Sequence, residues 1–287
     1  MSQFASFAVA GAGPTIGVYI VKALLEYNVR VLVLSRPSSS RGNDLPEHAN
    51  LTVALVEYTD VHAVASLLSL HKVDALISAV SFAGHAAQTP LADAAKQAGV
   101  KLFVPSEFGI PTGGGAEGVA FIKTQFAAYL QSIDLPCLRL YNGVFHKFIP
   151  FFAAVPDTGK FHIVGEGKSP VSFTSPVDVA GFLAHILVTL KHTQFYNIEL
   201  RIEGERLTLS EVAHLYGEKA PVIYVDTLPK SLPLVEVRSM LQHEFESGAG
   251  SSGWNRALKK DDAEAAKSGN ALWEGHAWVT VKEALGL

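Results

Sequence analysis

Three glycines near the amino terminus have a spacing that lets the main chain approach a bound anion. Gly11, Gly13 and Gly17 follow a short apolar run and precede an amphipathic segment that contains no further glycine or proline. Glycine has no Cβ, so it can adopt positive φ and admit a phosphate to the backbone. A helix that starts after such a turn offers unpaired N–H groups and the positive end of its dipole. The pattern therefore predicts that a pyrophosphate binds at this turn.

The rest of that turn completes the first predicted binding set. We expect the helix to begin at Thr15, with Pro14 near its first position, where the N–H that proline lacks is not needed. The spacing is G-x-G-x-x-x-G, and a tight strand-to-helix turn without a ligand is the alternative. The predicted phosphate-binding residues are Gly11, Gly13, Pro14, Thr15, Ile16 and Gly17.

A basic residue follows the second predicted strand, residues 29–35, and the next acidic residue is Asp44. Proteins that bind NAD carry an acidic side chain at this place for the ribose 2′-hydroxyl, whereas a guanidinium with nearby hydroxyls suits a 2′-phosphate. The sequence therefore predicts NADPH/NADP+ as cofactor, and an ordinary solvated arginine is the alternative. The predicted 2′-phosphate residues are Ser35, Arg36 and Ser38, with Ser39 and Arg41 close by.

Strands and helices alternate along the first half of the chain. The alternation predicts an α/β fold, a Rossmann-type doubly wound parallel sheet covered on both faces. Because the carboxyl edge of such a sheet faces the cofactor, Ala79, Val80 and Ser81 after the fourth strand are predicted cofactor contacts, with plain strand packing as the alternative. Apolar runs predict strands at 4–11, 29–35, 73–80 and 101–105, and an alternating pattern predicts the third strand at 51–58.

Capping residues predict where several helices begin. Asp60 is placed to cap a helix over 61–70, and Thr89-Pro90 to supply the N-cap and first residue of the next helix. Later in the chain, 175–178 resembles a capping box, and Thr208 with Glu211 forms another.

The second half of the chain is punctuated by prolines and predicts a smaller lobe. We expect an NADP(H)-binding domain over residues 1–150 and a substrate-side C-terminal lobe over 151–287 that is interleaved with it. The glycine-rich stretch 111–118 suits a mobile rim, with a plain loop as the alternative. The stretch 247–253, S-G-A-G-S-S-G, predicts a flexible linker.

Composition argues against several classes of function. The 287 residues carry a net charge of −4, and Lys259-Lys260 is the longest cationic run, so nucleic-acid binding is not expected. Cys137 is the only cysteine, which excludes an intrachain disulfide, and no Cys/His spacing indicates a metal site. Glycine or proline interrupts every long apolar stretch, and no cationic leader precedes the first strand. We therefore expect a cytoplasmic protein without a membrane segment.

An ordered set of motifs resembles one known family. The chain is similar, over about residues 5–215, to the NmrA-like, isoflavone-reductase-like branch of the atypical short-chain dehydrogenases. That branch includes phenylcoumaran benzylic ether, pinoresinol-lariciresinol and isoflavone reductases. The resemblance implies that the turn from Gly11 to Gly17 binds the pyrophosphate of NADPH and that Arg36 binds its 2′-phosphate. The motifs are G-A-G-P-T-I-G, S-R-P-S-S-S, V-D-A-L-I-S-A-V, A-G-V-K-L-F-V-P-S-E-F-G, F-I-K-T-Q-F and L-P-C-L-R-L-Y-N-G-V-F.

The resemblance also implies a catalytic lysine. The family's lysine lies on the helix after P-S-E-F-G, and Lys123, twelve residues before Leu135-Pro136, occupies that place. A lysine in an apolar cleft beside the nicotinamide would have a lowered pKa and could exchange a proton near neutral pH. Spacing alone favours the alternative of an exposed helical lysine. The chain contains no Y-x-x-x-K motif, and Pro14 stands where the family has its middle glycine.

The segment after the sixth predicted strand supplies the last candidates. Asn142 and Phe145 complete the predicted cofactor-binding set together with Lys123, and His146 is either a proton donor or a structural histidine. The resemblance implies an NADPH-dependent reductase of a small aromatic, phenylpropanoid-like or conjugated substrate, and it allows a homodimer. The alternatives are a non-catalytic NAD(P) sensor of the NmrA type that acts through a protein partner, and a Rossmann protein with a broken site.

Overall fold

The computed structural model describes residues 4–38 and 44–287. Within these residues the strands are, in chain order, β1 (Ser6–Ala10), β2 (Arg30–Ser35), β3 (Leu51–Leu55), β4 (Ala75–Ser78), β5 (Leu102–Val104), β6 (Leu138–Tyr141), β7 (Val144–Phe145), β8 (Phe161–Val164), β9 (Pro170–Thr174), β10 (Ile198–Arg201), β11 (Glu205–Thr208) and β12 (Val222–Val225). The helices are α1 (Gly17–Glu26), α2 (Val61–Leu70), α3 (Gln88–Gln97), α4 (Gly118–Ser132), α5 (Ile149–Phe152), α6 (Val155–Thr158), α7 (Pro176–Thr189), α8 (Leu209–Tyr216), α9 (Val235–Glu246), α10 (Ala263–Ala266) and α11 (Val281–Leu285).

The chain divides into two compact units, each assembled from segments that are distant in sequence. The first unit comprises Met1–Glu107, Ala116–Leu140 and Val179–Leu200. The second unit comprises Phe108–Gly115, Tyr141–Asp178 and Arg201–Leu287. The boundary near residue 150 between a cofactor-binding and a substrate-side part stays a prediction, because compactness does not assign a binding role.

A parallel sheet forms the centre of the first unit. In the part of the chain that the structure describes, five strands pair in the order β3-β2-β1-β4-β5, and every pairing among them is parallel. A parallel bridge between Phe103 and Cys137 joins β5 to β6, and β6 pairs with β10. Every residue of β1, β4 and β5 is buried, as expected for strands covered on both faces. This strand order confirms the predicted doubly wound α/β fold.

The second unit is built on smaller sheets and an aromatic core. Strand β9 pairs in parallel with β7 and antiparallel with β11, while β8 pairs in parallel with β12. The core between them is fully buried and includes Phe152, Phe161 and Phe173. Phe152 and Phe245 meet edge to face with their ring centroids 5.0 Å apart, a favoured aromatic geometry.

Two of the four predicted helix caps are confirmed. Asp60 accepts a hydrogen bond from the Ala63 backbone N at 2.9 Å, and Thr208 with Glu211 forms a complete capping box. The prediction for Thr89-Pro90 is wrong, because α3 begins at Gln88 and follows a 3-10 turn over Phe82–Ala87. Proline is tolerated as the third helical residue, since the first four N–H groups of a helix have no carbonyl to bond within it.

The predicted box at 175–178 forms only in part. Ser175 Oγ accepts a hydrogen bond from the Val177 backbone N at 3.1 Å. The Asp178 carboxylate instead pairs with His276 Nε2 at 3.0 Å and accepts a hydrogen bond from the Val279 backbone N at 2.9 Å. The His276 ring in turn stacks on Trp273 at 3.6 Å between centroids. Asp178 therefore anchors the last segment of the chain.

The stretch 247–253 is not a flexible linker, and that prediction is wrong. Residues 248–253 are all buried in the second unit. A Cβ on Gly250 would lie 2.9 Å from Phe245 Cδ1 and 3.0 Å from Val171 Cγ2. The Ser252 backbone N donates to Ser172 Oγ at 2.9 Å. Glycine occurs here because there is no space for a side chain, and the same composition occurs in mobile linkers for a different reason.

The described residues contain neither a membrane-spanning helix nor a cluster of metal-binding side chains. No helix there is both long and apolar enough to cross a membrane. No group of three or more His, Cys, Asp or Glu side chains in the described ranges is arranged to hold a metal ion.

Candidate functional site

The glycines of the first turn are required by close packing. Gly11 has φ of 90°, and a Cβ on it would lie 2.9 Å from the Ala79 carbonyl carbon. A Cβ on Gly17 would lie 2.1 Å from the Gly11 carbonyl oxygen. Any side chain at either position would therefore displace backbone. Pro14 and Thr15, in the same turn, are exposed, which suits the approach of a phosphate.

Helix α1 begins later than predicted. Its first residue is Gly17 and its N-cap is Ile16, so the placement of Pro14 at the first helical position is wrong. The Val18 backbone N donates to the Gly13 carbonyl at 3.1 Å, five residues back, so residues 13–18 form a wide turn. The α-helical bonding pattern starts with the Ile20 backbone N and the Ile16 carbonyl at 3.0 Å.

A buried tyrosine that we did not single out from the sequence holds this turn. The Tyr58 hydroxyl accepts a hydrogen bond from the Gly11 backbone N at 3.0 Å and donates to the Leu34 carbonyl at 2.7 Å. Burial raises the pKa of Tyr58, while the Gly11 N–H and the nearby Arg36 oppose that shift. Tyr58 thereby ties the loop after β1 to the end of β2. The only signal for it in the sequence was an aromatic residue at the end of the third predicted strand.

The predicted 2′-phosphate residues lie where β2 ends. Ser35 is the last residue of β2 and is partly buried, whereas Arg36 and Ser38 are exposed. Arg36 is close enough to influence the pKa of Tyr58, so its charge lies beside the loop that Tyr58 holds. Ser39 and Arg41 lie outside the described residues.

The predicted contacts after the fourth strand lie at the carboxyl edge of the sheet. Strand β4 ends at Ser78, and the Ala79 backbone N donates to the Ala10 carbonyl at 2.8 Å. Ser106 Oγ donates to the Val80 carbonyl at 2.8 Å. Ser81 is exposed and precedes the 3-10 turn. The segments that follow β1, β4 and β5 are therefore joined to one another at this edge.

Lys123 is held at the same edge of the first unit. Helix α4 carries it, and its Nζ donates to the backbone carbonyl of Glu107 at 2.8 Å. The Glu107 Oε2 atom lies 3.7 Å from Nζ, and the Lys123 side chain is only 16% exposed. Burial lowers the pKa of Lys123 from its ordinary value; Glu107 opposes this shift, and Arg139 adds to it. The alternative of an exposed surface lysine is therefore excluded.

Two charged residues extend from Lys123 into the unit. Arg139 Nε donates to Glu107 Oε1 at 2.8 Å, and Arg139 Nη1 donates to Glu199 Oε1 at 2.6 Å. Glu107 and Arg139 are both buried. We assigned neither a role from the sequence. The signal was present, because an arginine inside the strand L-R-L-Y and a glutamate inside P-S-E-F-G are charges that burial makes costly without a partner.

A histidine completes the surroundings of Lys123. The His85 ring meets the Phe126 ring edge to face, with centroids 5.9 Å apart. Burial lowers the pKa of His85, and the positive charge of Lys123 lowers it further. His85 therefore lies within electrostatic reach of Lys123 and is favoured in its neutral form.

The remaining predicted residues belong to the second unit. Asn142 is fully buried, and its Oδ1 atom has no hydrogen-bond partner within the described ranges. Phe145 is also buried. His146 is 1% exposed, and neither ring nitrogen has a well-formed hydrogen bond to a described residue. Burial lowers its pKa, although the Phe173 backbone and Asp178 favour the protonated ring. The structure thus brings the glycine turn, Ala79, Val80 and Lys123 together in one unit and places Asn142, Phe145 and His146 in the other.

The chain is similar in sequence to proteins named as oxidoreductases. Asnovolin J 5′,6′-dehydrogenase of Aspergillus novofumigatus is 28% identical over 241 residues, covering 76% of this chain and 71% of that protein. Oxidoreductase BOA1 of Botryotinia fuckeliana is 37% identical over 235 residues, covering 74% of each protein.

Solved structures share the fold over nearly the whole chain. The complex of leucoanthocyanidin reductase with NADPH from Vitis vinifera superposes with a TM-score of 0.77 at 19% identity and covers 98% of each chain. An isoflavone reductase superposes with a TM-score of 0.78 at 19% identity and covers 99% of each chain. These neighbours confirm the fold that the motifs predicted.

A profile of the NmrA-like family matches residues 5–223 of this chain. That range includes the glycine turn, Arg36, the P-S-E-F-G segment and Lys123, and it therefore spans every predicted site residue. The chain belongs to the NmrA-like family.

Proposed function

We propose that this protein is an NADPH-dependent reductase in which Lys123 is the general acid and base. The observation that carries the proposal is the burial of Lys123 against Glu107 at the carboxyl edge of the parallel sheet. In doubly wound folds, ligands bind along this edge. Relatives named as a dehydrogenase and an oxidoreductase, and a fold neighbour solved with NADPH, support the same class of reaction.

The first turn fits a dinucleotide. A side chain on Gly11 would clash with the Ala79 backbone, and one on Gly17 with the Gly11 carbonyl, so glycine is what allows the turn to be this tight. The residues of this turn would hold the pyrophosphate near the N-terminus of α1. Arg36 would pair with a 2′-phosphate. NADPH would supply a hydride to an electrophilic carbon of the substrate.

Lys123 would handle the proton. Because Nζ already donates to the Glu107 carbonyl, the ammonium is oriented and retains further N–H groups for a substrate oxygen. As the substrate accepts the hydride, a proton moves from Nζ to that oxygen, and the neutral amine later regains a proton from solvent. A lowered pKa makes this transfer easier than it would be for an exposed lysine.

The substrate class is proposed from the family resemblance. We propose a small aromatic, phenylpropanoid-like or other conjugated molecule. Lys123 would protonate either its carbonyl oxygen or a phenolic ether oxygen that leaves as a phenol when the hydride displaces the C–O bond. The test is the oxidation of NADPH by the protein with a panel of phenolic ethers, enones and aldehydes. We expect Lys123→Ala to lose turnover even at saturating NADPH, and Lys230→Ala, at an exposed lysine of the second unit, to change neither turnover nor NADPH binding.

Calorimetry tests the cofactor separately from turnover. We expect Arg36→Ala to weaken NADPH binding by about 10- to 100-fold, since a bond between charged groups contributes roughly 1.5–3 kcal/mol, and to leave NADH binding unchanged. Equal loss for both cofactors would remove the 2′-phosphate role. Tight NADPH binding without oxidation for any substrate would instead favour the non-catalytic sensor.

A further inference from the structure

Lys123 makes two contacts with one residue. Its Nζ donates to the Glu107 backbone carbonyl at 2.8 Å and lies 3.7 Å from the carboxylate Oε2. The Glu107 side chain is 2% exposed. A backbone contact and a charge contact from the same residue fix both the place and the direction of the ammonium group. Lys123 therefore cannot change its position without disturbing Glu107.

The Glu107 carboxylate is held from its other side. Its Oε1 atom accepts a hydrogen bond from Arg139 Nε at 2.8 Å, and Arg139 bonds the more exposed Glu199 at 2.6 Å. Charges thus alternate from Lys123 through Glu107 and Arg139 to Glu199. Buried charges are tolerated when each has a partner and hydrogen bonds of good geometry. The arrangement leaves the lysine at one end of a fixed series of charges.

We propose that Glu107 and Arg139 are the positioning residues of Lys123. Glu107 holds the Lys123 ammonium group, and Arg139 holds the Glu107 carboxylate in place. This inference rests on the acid–base role proposed above for Lys123. It assigns the two residues a part in catalysis through the lysine, with no contact between them and the substrate.

The two residues act on the lysine in opposite directions. The Glu107 carboxylate favours the protonated lysine and raises its pKa, whereas the Arg139 guanidinium repels it and lowers its pKa. His85 is a further titratable group near Lys123, and burial favours its neutral form. Removing Glu107 or Arg139 should therefore move the titration of Lys123 in opposite directions. A pair that supports the fold without acting on Nζ predicts no shift of the Lys123 titration in either direction.

The first experiment titrates Lys123 directly in the protein without cofactor. Lysine labelled at Cε and Nζ is followed by NMR from neutral to alkaline pH, and the Lys123 signal is assigned by its loss in Lys123→Met. We expect Glu107→Gln, which keeps an acceptor for Arg139, to move the titration to lower pH. We expect Arg139→Met to move it to higher pH, and Arg139→Lys to restore the wild-type position in part.

A matched control breaks a similar pair elsewhere. Asp157→Asn removes the carboxylate that accepts a hydrogen bond from buried Arg238 at 2.7 Å in the second unit. Thermal unfolding shows whether each variant is folded and how much stability it has lost. We expect Asp157→Asn to lose stability and to leave the Lys123 titration in place.

The second experiment measures kcat against pH with a substrate found by the NADPH assay. A protonated lysine is the active form of a general acid, so kcat falls as pH rises through the pKa of Lys123. In Glu107→Gln this fall should begin at lower pH, giving about tenfold lower kcat on the alkaline side, because a neighbouring opposite charge shifts a pKa by roughly one unit or more. In Arg139→Met the fall should begin at higher pH.

The outcomes separate this inference from the proposed function. If folded Glu107→Gln and Arg139→Met both leave the titration of Lys123 unchanged, or move it in the same direction, the inference is overturned. If Glu107→Gln does not fold, Arg139→Met decides alone: a rise supports the inference, and no change refutes it. A protein that never oxidises NADPH but shows the opposed shifts retains the charge arrangement and loses the reductase assignment.

Discussion

Replacing Tyr58 with Phe isolates the hydroxyl that holds the first turn. The change deletes one oxygen atom from a side chain that is 6% exposed and leaves its packing in place. Two hydrogen bonds are lost, from the Gly11 backbone N at 3.0 Å and to the Leu34 carbonyl at 2.7 Å. Each contributes roughly 0.5–1.5 kcal/mol, and both backbone partners are left without the bond, so we expect a loss of about 2–3 kcal/mol in the free energy of unfolding.

The assay is equilibrium unfolding in urea. The shift in the unfolding midpoint, multiplied by a common slope, gives the change in the free energy of unfolding. Tyr216→Phe is the control, since Tyr216 is 7% exposed and its hydroxyl makes no hydrogen bond to any described residue. We expect this control to change stability by less than about 0.5 kcal/mol, because no bond is broken. Equal losses in the two variants would refute the assigned role of the Tyr58 hydroxyl.

Two further substitutions and one labelling experiment test other parts of the structure. Gly250→Ala places a Cβ 2.9 Å from Phe245 Cδ1, so we expect overpacking to lower the free energy of unfolding in urea by about 1–3 kcal/mol. An unchanged free energy of unfolding would show that a Cβ fits at this position. Burial raises the pKa of Cys137 to about 11, so iodoacetamide at pH 8 should label it only after denaturation, and rapid labelling of the folded protein, read by mass spectrometry, would contradict its burial. Asp178→Asn weakens the contact with His276 Nε2 at 3.0 Å and should change tryptophan fluorescence by loosening the segment of Trp273; an unchanged spectrum would argue against the anchor.

The parts of the fold that follow from local rules could be predicted from the sequence. Apolar runs place β1, β2, β4 and β5 within a few residues, because strands covered on both faces need continuous burial. The alternating run 51–58 places β3, which is an edge strand with exposed residues. The Asp60 cap and the Thr208 capping box were also predictable, since their partners lie three residues along the chain.

Features set by distant packing could not be predicted in the same way. Residues 247–253 have the composition of a mobile linker, and only the presence of Phe245, Val171 and Ser172 against them shows that they are buried. The start of α1 at Gly17 follows a wide turn in which the Val18 backbone N donates to the Gly13 carbonyl, and turn propensities do not describe this turn.

The candidate site shows the same division. The family motif located Lys123. No local pattern indicates that Glu107 contacts Lys123 Nζ, or that Arg139, 32 residues after Glu107, donates a hydrogen bond to the Glu107 carboxylate. Such long-range pairs become visible only when the segments that carry them, here α4, the segment after β5, and β6, are placed side by side. A charge inside an apolar strand is the trace that they leave in a sequence.

The division of the chain into two units has a practical consequence for anyone who wishes to study them apart. The polypeptide passes from one unit to the other five times. No single cut, and no fragment taken from either terminus, can therefore release a whole unit as one continuous polypeptide. Expression of an isolated unit would require rejoining three pieces through designed connections. A protease nick at any one point would leave at least one product that contains residues of both units.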